Sequence, residues 1–182
     1  MGGQETDDLL KEALKGDGSQ PPVDLPELSA DMAKFFDLLH NDWEPMMRLF
    51  HNSREVFDRP LVVSVLRALR RGAAEDLSHY GHREALELRG FVTALAEHSQ
   101  SFIEDMEPSE LALLSTTLAR FGAESRPACT TLQRHAARPE VLRSLSAVEL
   151  SDLLFGMART GHRPPTSWLL QLTGRALEVS DG

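Results

Sequence analysis

Cysteine is nearly missing from the 182 residues, and that alone removes one structural option. A single cysteine, Cys129, cannot close an internal disulfide, so the fold must hold together by packing. Tyrosine also occurs once, at Tyr80, so aromatic stacking of exposed bases has few side chains to draw on. No run of about 18 apolar residues is present, which argues against a membrane-spanning helix. Nor is there a Gly-rich phosphate loop followed by lysine, or a zinc helix bearing a glutamate. Net positive charge is lacking too: 19 Lys and Arg stand against 28 Asp and Glu.

That negative excess is uneven. Residues 1–40 carry nine acids and three bases, whereas residues 41–182 carry 19 acids and 16 bases, an excess of only three. We therefore divide the chain into an acidic segment, 1–25, with one short helix around Asp7–Leu14, and a helical domain, 26–182. The head has neither the Arg-rich, acid-poor composition of an import presequence nor the apolar run of a secretory signal. Met1, Gly2 and Thr6 fit the minimal myristoylation pattern, but Glu5, Asp7 and Asp8 disfavour an anionic membrane surface, so lipidation is not expected.

What the chain has in abundance is helical periodicity. Met32, Phe35, Phe36 and Leu39 recur at helical spacing after Ser29, a suitable N-cap. A second helix is expected over Asn41–Phe57, with Pro45 in its first turn, and a third from Arg59 to Gly72 with Val62, Val65, Leu66 and Leu69 on one face. His82 to Met106 reads as one long helix or two short ones, depending on Gly90. Pro108 opens a helix that stops before Gly122, and Ser146 with Glu149 forms a capping box for one that stops at Gly161. Shorter partners follow each, around Cys129 and Trp168, with Pro139 breaking the chain between them.

The last two long helices are near copies. "ELALLSTTLARFG", 110–122, and "ELSDLLFGMARTG", 149–161, share six of 13 positions. Glu110/Glu149, Leu111/Leu150, Leu114/Leu153, Ala119/Ala158 and Gly122/Gly161 are the matched structural positions, with Leu118 aligned to Met157. The leucines read as core, the alanines as sites of close packing, the glutamates as caps and the glycines as left-handed helix ends. Leu61, Leu69, Arg70 and Gly72 form a weaker copy. A helix pair that leaves one apolar face bare is naturally repeated, because each unit covers its neighbour. The fold expected is all-α: a short α-solenoid of antiparallel helix pairs.

The theme L-S-x-x-E-L-x-x-L-L-x-x-x-A-R-x-G, carried by Leu145, Ser146, Glu149, Leu150, Leu153, Leu154, Ala158, Arg159 and Gly161, resembles the repeats of organellar RNA-metabolism proteins. These are the octatricopeptide, heptatricopeptide and FAST-kinase-related classes. The resemblance implies a non-enzymatic RNA-binding or ribonucleoprotein component in a mitochondrion or plastid, with single-stranded or ribosomal RNA as partner. A scaffold or accessory subunit of a larger organellar complex is the alternative, and the lack of a visible presequence admits the cytoplasm.

Arg59, Arg67, Arg70 and Arg71 give one helix a local charge of +4; the corresponding place recurs as Arg120 and Arg159, with Arg163 just past the last turn. With Tyr80, the residues Arg67, Arg70, Arg71, Arg120, Arg159 and Arg163 are the candidate RNA or partner contacts, a basic ridge able to bind phosphate. Arginine at a helix C-terminus also suits the terminal partial charge, so a purely structural role competes. No catalytic residue, metal or cofactor is expected: His79 and His82 lack a third ligand, and Cys129 and His135 lack a catalytic context.

Overall fold

The computed structural model describes residues 43–72 and 80–180. The helices expected around 7–14 and 29–39, and His79, lie outside them. The described residues form eight α-helices and no strand. They are α1 (Trp43–Asn52), α2 (Arg59–Gly72), α3 (His82–Ser99), α4 (Pro108–Phe121), α5 (Arg126–Ala136), α6 (Pro139–Ser144), α7 (Ala147–Arg159) and α8 (Thr166–Ser180). The all-helical expectation is met.

Local chemistry explains where the helices begin and end. At the start of α7, Glu149 accepts the Ser146 amide at 2.8 Å while Ser146 Oγ accepts the Glu149 amide at 3.3 Å, so two donors left over by the helix are satisfied. At the start of α4, Pro108 follows Glu107, whose amide donates to Glu110 at 3.0 Å. Both long copies end on a glycine with positive φ, 58° at Gly122 and 68° at Gly161, a conformation that a side chain would strain. Gly90, by contrast, does not divide α3. It is exposed within a continuous helix, and a Cβ there would meet nothing within 4 Å.

The expected apolar stripe is the core. Leu111, Leu114 and Leu118 on α4, and Leu150, Leu153 and Met157 on α7, are all buried. Ala119 is buried as well, but Ala158 is exposed, which corrects the expectation that the alanine pair mediates close packing. The close approach sits two residues earlier. A Cβ on Gly156 would lie 1.9 Å from Ser115 Oγ and 2.6 Å from the Ser115 carbonyl oxygen, and Ser115 Oγ donates to the Leu153 carbonyl at 3.4 Å. The two copies are thus direct neighbours, pressed together where one has no side chain.

Contacts at the helix ends set directions. Helix α4 touches α2, α3, α5 and α7. Arg59, opening α2, reaches Glu110 in the first turn of α4 at 2.8 Å, and Arg120, closing α4, donates to the Arg70 carbonyl near the end of α2 at 2.8 Å. Helices α2 and α4 therefore run side by side in the same direction. The start of α5 meets the end of α7, where the Cys129 thiol donates to Thr160 Oγ1 at 3.8 Å. Trp168 of α8 donates its indole N–H to the Gln133 carbonyl of α5 at 3.0 Å. An aromatic cluster of Phe50, Phe57, Phe91 and His98 joins α1 to α3 at the other end, with His98 Nε2 2.6 Å from the Phe57 carbonyl.

These two glycine environments predict opposite responses to one added methyl. Gly156→Ala is expected to lower stability by roughly 1–3 kcal/mol through overpacking against Ser115. Gly90→Ala, in open space, is expected to raise it by about 0.5–1 kcal/mol through helix propensity. Urea midpoints of the two variants, compared with the parent chain, check both.

Candidate nucleic-acid interface

The shared direction of α2 and α4 has an electrostatic consequence. Helices that run the same way place their C-terminal ends on one rim, and cations are favoured there by the terminal partial charge. Arg67, Arg70 and Arg71 are exposed in the second half of α2. Arg159 is exposed at the end of α7, and Arg163 is exposed two residues beyond Gly161. Arg120 stands at the same end of α4 but is half-buried and joins α4 to the Arg70 carbonyl, so it braces the rim.

Two further basic side chains on this rim, one a cation and one an imidazole, were not singled out by the sequence. Arg126 opens α5, and His162 follows Gly161. With Arg163, Ser125, Thr130 and Thr160 they line a cleft of about 420 Å³ between the α4–α5 turn and the α7–α8 turn. Glu124 is the acid in this lining. His162 Nε2 donates a 2.8 Å hydrogen bond to Gln133 Oε1, and burial, then the nearby Arg126 charge, hold its pKa below the usual imidazole value. Arg126 is invisible to a repeat comparison because it belongs to the shorter partner helix. Its only signal was the basic residue just after the Ser125 cap.

The opposite rim carries the reverse sign. Glu104, Asp105, Glu107 and Glu140 gather where α4 and α6 begin, with Arg138 and His135 in the same cleft of about 380 Å³. Arg138 pairs with Glu104 at 2.7 Å and holds that carboxylate below its ordinary pKa, while Arg59 engages Glu107 and Glu110. The chain is acidic overall, yet its described part separates basic and acidic ends.

Aromatic readout is poorly served. Tyr80 is half-buried with its ring packed against the core, so it is not an open stacking platform. Trp43 and Trp168 are buried, as packing anchors. Cys129 is buried against Thr160, and burial raises its thiol pKa, which opposes thiolate chemistry. Among the described residues no three His, Cys, Asp or Glu side chains gather as a metal site. Glu110 and Glu149 serve as caps. No protein-family model, curated protein or solved structure matches the chain.

His135, on α5, is 4% exposed, and its Nδ1 has no hydrogen-bond partner. Burial first, then Arg138, depresses its pKa, against the opposing pull of Glu104, Glu140 and Asp105. A depressed imidazole pKa means the unfolded chain takes up the proton first as pH falls. Stability is therefore expected to be level above about pH 6.5 and to decline below it, as the unfolded histidines protonate. His162 contributes in the same direction. Urea unfolding between mildly acid and neutral pH checks this: the double variant His135→Gln/His162→Gln is expected to flatten the slope.

Proposed function

We propose that the protein is a non-enzymatic RNA-binding component of a ribonucleoprotein, built as a short α-solenoid of antiparallel helix pairs. The pairs are α2/α3, α4/α5 and α7/α8, with α6 inserted before the last. The parallel run of α2 and α4, the seating of α7 on α4, and the meeting of the start of α5 with the end of α7 support this architecture.

The observation that carries the functional reading is the collection of Arg67, Arg70, Arg126, Arg159 and Arg163 at one rim, with the carboxylates concentrated at the other. Phosphates of a single strand track along this rim, held chiefly by charge, while Ser125, Thr130 and Thr160 offer hydroxyls inside the cleft. Such binding positions RNA and transforms nothing. A mitochondrial or plastid setting follows from the repeat resemblance alone.

A second reading, an accessory subunit that holds other proteins, draws on exposed apolar side chains of the last two helices: Val148, Phe155, Leu170 and Leu177. Binding of the intact chain to mixed-sequence single-stranded RNA across a salt series separates the two. Arg67→Glu/Arg70→Glu and Arg126→Glu/Arg163→Glu are each expected to weaken binding at least about tenfold. The salt slope is expected to flatten by about 0.7 for each phosphate that is no longer neutralised. Unchanged affinity and slope in both variants would contradict the RNA reading.

A further inference from the structure

Helix α4 seats α7 at Ser115, and the buried small residues Ala112 and Ala119, three and four positions away, share its helix face. Moved forward by the repeat spacing of 39, these positions become Ser151, Leu154 and Ala158 on α7. The pattern is thus written again in α7, where Leu154 is half-buried against the core and the flank that carries Ser151, Phe155 and Ala158 is left uncovered by the described helices. Ser151, Phe155, Ala158 and Arg159 are exposed, Phe155 to 54% and Val148 to 70%. An exposed phenylalanine between small residues presents apolar surface to water, and its burial is favourable.

We infer that this face of α7 binds the same face of a second copy of the chain, about a two-fold axis passing beside Phe155. The charge pattern selects that occupant. Asp152 and Arg159 are seven residues apart, so they lie on one flank of the helix, about 10 Å apart along its axis, with Phe155 between them. Neither side chain has a hydrogen-bond or ion-pair partner among the described residues. When two such helices pack antiparallel, the flank is preserved and the ends are exchanged. Asp152 then faces the partner's Arg159, and Arg159 faces the partner's Asp152. On the other flank Ser151 and Ala158 oppose each other, small against small, allowing close approach of the backbones. The surface is complementary to itself, which is what an isologous dimer requires.

Pairing withdraws Arg159 from the phosphate rim. Arg67, Arg70, Arg126 and Arg163 remain on it, and the two rims of the dimer are then held in fixed relation.

The test is the mass of the intact chain in solution, by sedimentation equilibrium. The parent chain is expected to form a dimer that Phe155→Glu dissociates, with helix content retained because residue 155 is on the surface of the protomer, and with a thermal midpoint that no longer rises with protein concentration. Asp152→Arg and Arg159→Asp each place like charges across the interface and are expected to weaken self-association at least about tenfold. Mixing those two variants restores opposite charges across the interface, so a heterodimer is expected by native mass spectrometry. A parent chain that stays monomeric overturns the inference. Growth beyond a dimer, or failure of the mixed variants to pair, overturns the two-fold arrangement.

Discussion

Ser115 against Gly156 is the contact on which the arrangement of this protein depends. Two helices of nearly the same sequence lie together because one lacks a side chain where the other presents a hydroxyl and a carbonyl. Their leucines then fall into a common core, Leu111, Leu114 and Leu118 with Leu150, Leu153 and Met157. A larger residue at 156 separates the backbones and disturbs every contact that follows from that spacing. Glycine inside a helix costs about 1 kcal/mol in propensity, which is offset here by the packing it permits.

From that spacing follows the placement of charge. Because α4 runs beside α2, with Arg59 joining their starts and Arg120 their ends, the arginines at helix C-termini collect on one side. The same asymmetry gathers Glu104, Asp105, Glu107 and Glu140 on the other. An acidic chain can therefore offer a basic rim: net charge sums over the molecule, whereas a bound phosphate responds to groups within about 10 Å. The proposed RNA contact lies in this separation and not in any catalytic assembly.

Much of the fold was legible in the sequence because it is local. Pro108, Gly122, the Ser146–Glu149 box and Gly161 mark helix ends by chemistry confined to one turn, and all four do so in the structure. The leucine stripe follows from the helical period. Ala158 departs from expectation because α4 is packed against four helices and α7 against two, so the alanine beside the stripe is buried in the first copy and exposed in the second. Gly156 is hidden from the repeat comparison because it aligns with Thr117, an unmatched pair. A mid-helix glycine is nonetheless a signal of close approach. For the candidate site, Arg67, Arg70, Arg71, Arg159 and Arg163 are exposed, as side chains that meet a partner must be. The bracing role of Arg120, the half-burial of Tyr80 and the contribution of Arg126 depend on which helices meet, and periodicity does not contain that information.

Native-state hydrogen exchange tests the central claim most directly, because it reads the opening of each helix separately. If α4 and α7 exist by covering one another, the slowest amides of Leu111–Leu118 and Leu150–Met157 should share one opening free energy, and Gly156→Ala should lower both together. Exchange of α7 through its own low-energy opening, with α4 still protected to the full extent, would contradict it.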